Sequence, residues 1–207
     1  MIEIFAHRPI YENKENSLDG IVYNLKLGFN IEIDVRIKSD KFYLSHEPQE
    51  GEDSFYDACK IIKQNSKRAA IHIKENFDIK NIIDLIYKQN IEKDCFIFST
   101  LENYDNIKKY KNINFANYQN KFQNNPIAKI LWCDESNEIW YDEKIFSEYK
   151  KNEKYIITMS KELLKPCKIN EIKHEWDRLI NLKVDAICTN FPLLLREYLN
   201  EKGSIEN

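Results

Sequence analysis

The residues best equipped for chemistry stand two apart. Glu32 and Asp34 alternate with Ile31, Ile33 and Val35, and His72 and Lys74 alternate with Ile71 and Ile73. Side chains two apart share one face of a strand, so each run would present its polar groups on one side and its isoleucines on the other. Two neighbouring carboxylates suit a hard divalent cation such as Mg²⁺ or Ca²⁺, which prefers oxygen ligands; on a surface the same pair is an ordinary salt-bridge partner. His7 and His46 titrate near neutral pH and could act as general base and general acid, although a lone histidine is more often a hydrogen-bonded structural residue. Arg8 and Lys74 could hold an anion by charge-assisted bonds. Together these parts fit phosphoryl transfer: cations neutralise a phosphate, one histidine removes a proton and the other delivers one. The sequence has no Gly-x-Ser-x-Gly elbow, which argues against a serine hydrolase, and no Gly-rich phosphate loop or dinucleotide fingerprint.

Such residues need a scaffold, and short apolar runs supply one. Strands are predicted at Ile2–Ala6, Ile31–Arg36, Ala69–Lys74, Cys95–Ser99, Ile113–Asn117, Lys129–Cys133, Tyr155–Met159 and Val184–Thr189, with a short extra strand at Lys41–Ser45. Helices are predicted at Ser17–Leu27, Ser54–Gln64, Ile79–Lys88, Tyr104–Tyr110, Asp142–Lys150, Asn170–Leu182 and Pro192–Asn200; the segment after Asn117 has too little pattern to assign. Runs of about five residues alternating with longer helical patterns indicate βαβ units and a parallel sheet. Eight candidate strands favour a closed (β/α)₈ barrel over an open doubly wound sheet. Polar alternation by itself would also suit an antiparallel sheet with one wet face. Against that stand the intervening helices and the polar residues at or past the strand ends: His7, Arg8, His46, Ser99, Thr100, Asp134, Ser160, Thr189 and Asn190. Barrel enzymes build their active sites there.

The chain of 207 residues is 43% hydrophobic and 31% charged, with a formal net charge of −3. That balance excludes the basic footprint of a nucleic-acid binder and the composition of a disordered chain. No run reaches the length of a membrane span, and Met1–His7 lacks the features of a signal peptide. Five scattered cysteines without a Cys-x-x-Cys pair argue for reduced thiols and a cytoplasmic location. One domain over residues 1–200 is expected, with a loose polar tail at 201–207. The oligomeric state cannot be read from the sequence.

The motifs Ala6-His7-Arg8, Glu15-Asn16-Ser17, Glu32-Ile33-Asp34-Val35 and His46-Glu47 resemble, in order and spacing, those of the glycerophosphodiester phosphodiesterase family. Ile71-His72-Ile73-Lys74 falls where that family has a Glu-x-Lys strand, Phe96–Thr100 resembles its fourth strand, and Val184–Pro192 resembles its closing strand and loop. Residues 112–165 match poorly. The resemblance implies a single (β/α)₈ TIM-type barrel of the phosphatidylinositol-phospholipase-C-like kind and a metal-dependent phosphoric diester hydrolase. It implies His7 and His46 as the catalytic pair, Glu32 and Asp34 as metal ligands, and Arg8 and Lys74 on the phosphate. In that family a neighbouring substrate hydroxyl often attacks phosphorus, giving a cyclic phosphate. His46 would then protonate the leaving alkoxide. Three departures stand out. Pro9 replaces the Gly of His-Arg-Gly, and Asn190 replaces a late Asp. His72 replaces a third carboxylate ligand, so the site is expected to take a different metal, with Mn²⁺ beside Mg²⁺ and Ca²⁺, to bind it weakly, or to recruit another oxygen such as Asp134.

The gap before the second helix, Gln49–Phe55, leaves little room for an insertion cap. A near-minimal barrel with an open mouth points to a small, soluble phosphodiester. Trp132 and Asp134 lie two apart and share a face; Trp132 could stack on a sugar or base, or be a core residue. Trp140, Ser160 and Glu162 are further candidates for the mouth. Glu162 could bind substrate hydroxyls or start a helix. With no glycine where a phosphate loop needs one, phosphate recognition is expected to rest on Arg8, Lys74 and metal. A glycerol phosphodiester is the default substrate, with nucleotide- or polysaccharide-linked diesters as rivals. The alternative function is a non-catalytic barrel that binds a phosphate ligand.

Overall fold

The computed structural model describes residues 2–48, 53–76, 78–100, 109–110, 112–124, 126–136 and 138–203. Its strands are β1 (Glu3–His7), β2 (Asn30–Lys38), β3 (Lys41–Leu44), β4 (Ala69–Ile73), β5 (Cys95–Ser99), β6 (Asn114–Gln119), β7 (Ile130–Cys133), β8 (Tyr155–Met159) and β9 (Ala186–Thr189). They form one sheet in the order β1-β9-β8-β7-β6-β5-β4-β2-β3, which a β1–β2 pairing closes. The fold is a TIM-type (β/α)₈ barrel of eight parallel strands, with β3 antiparallel on β2. The expected strands all form, including the short extra one. The predicted helix at Tyr104–Tyr110 lies mostly outside the described residues, as do most of the gap at Gln49–Phe55 and the end of the tail.

The chain divides into two compact units, His7–Phe115 and Met1–Ala6 with Ala116–Asn207. In the first, α1 (Leu18–Lys26), α2 (Phe55–Lys63) and α3 (Ile79–Gln89) start where short polar side chains meet amphipathic runs. The side chains of Ser17, Ser54 and Asp78 accept from Gly20, Tyr56 and Lys80 N–H groups. Each cap satisfies a backbone donor the helix cannot, worth about 1 kcal/mol. The apolar stripes follow helical spacing: Phe55, Ala58, Cys59 and Ile62 on α2, and Ile79, Ile82, Ile83 and Ile86 on α3, all buried. They pack in one core with Ile31, Ile33, Val35, Ile71, Ile73 and Ile97. The isoleucine face of β2 and β4 thus meets helices, as the alternation predicts, and the opposite face carries Glu32, Asp34 and His72.

In the second unit, β6 to β9 run parallel, and Glu3–Ala6 pairs in register with Ala186–Thr189. Its helices are α4 (Glu143–Lys151), α5 (Ile169–Asn181) and α6 (Pro192–Glu201). Pro192 opens α6 where a missing N–H costs nothing. Trp176 of α5 is fully buried and packs against Tyr198 of α6, ring centroids 5.6 Å apart. No helix joins β6 to β7 among the described residues of 120–129, the stretch whose sequence carries no helical pattern. Side chains hold it instead: Asn117 Oδ1 accepts from Ala128 N at 2.8 Å, and Lys154 Nζ donates to the Pro126 and Ala128 carbonyls at 2.7 and 3.0 Å.

Candidate active site

The strand registers of the His7–Phe115 unit assemble its polar groups. Asp34 of β2 pairs with His72 of β4, which pairs with Phe98 of β5. The imidazole stacks on Phe98, centroids 4.4 Å apart at 16°. His72 Nδ1 lies 2.9 Å from Asp34 Oδ1 and 3.7 Å from Glu32 Oε1. Arg8 Nε is 2.8 Å from Asp34 Oδ2, and Lys74 Nζ is 3.5 Å from Oδ1. His7, the last residue of β1, sets Nε2 3.9 Å from Glu32 Oε2. His46 follows β3, with Nδ1 2.7 Å from Glu47 Oε1. The unit therefore brings together His7, Arg8, Glu32, Asp34, His72 and Lys74, and places His46 within the electrostatic field of Arg8, Asp34 and Lys74.

Electrostatics follow from burial. Asp34 is 1% exposed. Burial alone would raise its pKa, but His72, Lys74 and Arg8 outweigh that and hold the carboxyl well below the usual carboxylate range. Burial disfavours charge on His72, yet Asp34 and Glu32 lift its pKa above the ordinary value. His46 goes the other way, lowered by partial burial and then by the Arg8 charge.

Glu32, Asp34 and His72 each offer one ligand atom, all within 4.8 Å of one another. Among the described residues, both Asp34 carboxylate oxygens are buried and accept no hydrogen bond of good geometry, and His72 Nε2 is likewise buried without one. A buried, ionised carboxylate short of hydrogen bonds is one that a cation would complete. Two carboxylates and one imidazole suit Mg²⁺ or Mn²⁺ by donor type. The group thus fits a divalent ion.

The loop after β1 is held under strain. Arg8 has φ 39°, an uncommon value for a residue with a Cβ and one that costs on the order of 1–3 kcal/mol. Four contacts pin it. Its N–H donates to Glu32 Oε2 at 3.3 Å, its carbonyl accepts from Asn16 N at 3.2 Å, and its guanidinium pairs with Asp34 and, at 3.6 Å, with Glu15. Pro9 then rests against α1, where a Cβ on Gly20 would come within 2.0 Å of its carbonyl oxygen.

Several supporting residues escape a reading confined to catalytic types. Asn16 is buried, with φ 52°; its Nδ2 donates to the Asp34 carbonyl at 2.9 Å and its Oδ1 accepts from Asp34 N at 3.2 Å. It fixes the backbone beneath the central carboxylate. Arg36 continues the Glu32-Asp34 alternation on β2, and that periodicity is the signal that finds it.

Trp132, Asp134 and Glu162 belong to the other unit. Trp132 is buried and meets Phe5 edge-on at 6.3 Å. Asp134 accepts from Tyr118 Oη at 2.8 Å and Ser136 N at 2.6 Å, and its carbonyl accepts from Trp140 Nε1 at 2.7 Å. Burial, then Asp134, pushes the Tyr118 phenol far above its ordinary pKa. Glu162 accepts from Ser160 Oγ, Thr189 Oγ1 and Asn190 N, tying the end of β8 to the end of β9.

No protein-family model and no curated protein matches the sequence. Solved structures match the fold. A glycerophosphodiester phosphodiesterase from Agrobacterium tumefaciens aligns with TM-score 0.74 at 15% identity, covering 97% of this chain and all of that one. A glycerophosphoryl diester phosphodiesterase from Parabacteroides distasonis gives 0.74 at 13% identity over 97% of this chain and 87% of that one. A Ca²⁺-dependent phosphatidylinositol-specific phospholipase C from Streptomyces antibioticus gives 0.60 at 10% identity over 94% and 95%. The barrel is the one these phosphodiesterase structures have.

Proposed function

We propose that the chain is a phosphodiesterase acting on a small glycerophosphodiester-like substrate. The observation that supports this is the buried Glu32–Asp34–His72 group, flanked by Arg8, Lys74 and His7 in the His7–Phe115 unit. The fold it shares with glycerophosphodiester phosphodiesterase structures supports the same reading.

In this reading Arg8 and Lys74 bind the anionic phosphate oxygens, with charge left over beyond their pairing to Asp34. His7 Nε2, supported by Glu32, takes the proton of the attacking hydroxyl. His46 Nε2 gives a proton to the departing alkoxide, while Glu47 holds the opposite ring nitrogen. When the attacking hydroxyl belongs to the substrate, the product is a cyclic phosphate. Glu32, Asp34 and His72 would hold a divalent ion, Mg²⁺, Ca²⁺ or Mn²⁺. That ion would stabilise the charge growing on the phosphoryl oxygens.

The test is turnover of a panel of soluble diesters, including nucleotide-linked and glycerol-linked ones, with each of the three metals. Turnover is expected, and His7→Ala and His46→Ala should each remove it. A binding-only reading draws on one observation, the Arg8, His72 and Lys74 groups that already surround the Asp34 carboxylate without a metal. Tight anion binding without turnover under any metal would establish that reading instead. Among the described residues no helix is long and apolar enough to cross a membrane.

A further inference from the structure

We infer that Arg36, braced by Glu75, is a positioning residue for His46. Its Nε and Nη2 both donate to the His46 carbonyl, at 2.9 and 2.6 Å. Its Nη1 donates to Glu75 Oε1 at 2.6 Å, and Glu75 Oε2 accepts from Ile37 N at 3.2 Å. The guanidinium therefore spends one edge on the backbone of His46 and another on a carboxylate that is itself tied to β2.

The topology shows why such a grip is needed. His46 is not carried by a barrel strand. It follows β3, an arm of four residues paired along β2 and bridged on its other edge, among the described residues, only where Tyr43 meets Ser54 and Leu44 N donates to the Asp53 carbonyl at 2.9 Å. Beyond Leu44 the arm has one backbone tie to β2, from Ser45 N to the Asp34 carbonyl at 3.2 Å. An imidazole that must meet a leaving oxygen within a few tenths of an ångström needs its own backbone fixed. A planar fork on one carbonyl fixes distance and in-plane angle together, which a lysine ammonium cannot do. The action is mechanical. The Arg36 charge is paired with Glu75 at 2.6 Å, and its bonds to His46 go to the backbone carbonyl, not to the imidazole.

The inference matters for turnover only through the acid role proposed for His46, on which it rests. Its test therefore pairs kinetics with the titration of the His46 imidazole, followed by NMR in histidine-labelled protein. Arg36→Ala should lower kcat on a soluble diester about a hundredfold, with KM changed less than about threefold. It should also move the His46 titration toward that of a free imidazole. Arg36→Lys, which restores charge but not the fork, should fall between Arg36→Ala and the unaltered protein. Glu75→Gln should lower kcat less than Arg36→Ala does. Ile86→Val, a packing change in α3, should leave the titration where it is. An Arg36→Ala protein with unchanged kcat and unchanged titration would overturn the inference, as would Arg36→Lys equal to the unaltered protein in both. If Arg36→Ala fails to fold, Arg36→Lys and Glu75→Gln decide by the same two readouts. If the unaltered protein turns over no diester, the proposed function falls. The shift of the His46 titration then judges the positioning role alone.

Discussion

Gly20→Ala is a change that helix propensity would rate as harmless or helpful, and the packing of Pro9 says otherwise. Gly20 sits in the first turn of α1 with no unusual φ, so alanine fits its backbone and should gain up to about 1 kcal/mol in propensity. Its new methyl would stand 2.0 Å from the Pro9 oxygen and 2.7 Å from the Pro9 carbonyl carbon. Carbon and oxygen approach no closer than about 3.3 Å, so the loop or the helix must give way by about 1.3 Å. Overpacking of this kind costs about 1–3 kcal/mol, leaving a net destabilisation of about 0–2 kcal/mol. The larger effect should be on activity. Pro9 follows Arg8 and His7 directly, and a displacement of about 1 Å at a reacting group can cost on the order of a hundredfold. The assay is kcat/KM on a soluble diester beside a urea melt. Gly28→Ala is the control: its φ is +87°, and a Cβ there would meet nothing nearer than Lys67 Cε at 3.9 Å outside its chain neighbours. It should lose about 1 kcal/mol of stability and keep full activity per folded molecule. A Gly20→Ala protein as active as the unaltered one would refute the claim that this contact sets the loop.

Asn16→Ala should cost about 1–3 kcal/mol in a urea melt, because it strips two buried partners from the Asp34 backbone. With His46 lowered from 6.5, its acid form is lost at a lower pH than that of a free imidazole, so the alkaline limb of kcat/KM should lie below pH 6.5. The same shift has a stability sign. Below 6.5 the unfolded chain binds this proton more readily, so the His46 contribution falls as pH drops through the folded value. A pH–rate profile and pH-dependent melts check the two effects. Cys59, Cys95, Cys133 and Cys188 are buried, and burial pushes Cys59 up to about 12, so a thiol reagent should label only Cys167 quickly in the native state. Mass spectrometry of the labelled protein reads this directly, and rapid modification of Cys59 would contradict the packing of α2.

Alternation carried most of what the sequence could tell. Ile31, Ile33 and Val35 against Glu32 and Asp34 is a pattern that only one orientation of β2 satisfies once helices cover the apolar side. The structure has that orientation. The register that sets Asp34 beside His72 was not legible, because strand pairing depends on contacts between distant segments. Asn16 shows a second limit. Its polar type and place in a motif are visible, but its two bonds to the Asp34 backbone arise only when residues 18 apart in sequence meet. The crossover at 120–129 was legible in a negative way, since a stretch without helical periodicity did not become a helix among its described residues. Arg8 shows a third limit, because a positive φ before a proline runs against local preference and is imposed by Glu32, Asn16 and Asp34 together.

The hairpin that carries His46 has a further consequence. Its turn is made by Ser39 and Asp40, at φ 48° and 61°, flanked by the Lys38–Lys41 pair. Two residues with positive φ give the tight reversal that matches strand twist, and they fix which β2 residue each β3 residue faces. A slip of that register by a single residue would send every side chain of the arm to the opposite side. The spacing between the Glu32–Asp34 pair and His46 is in this sense a counted length, written in the size of one loop.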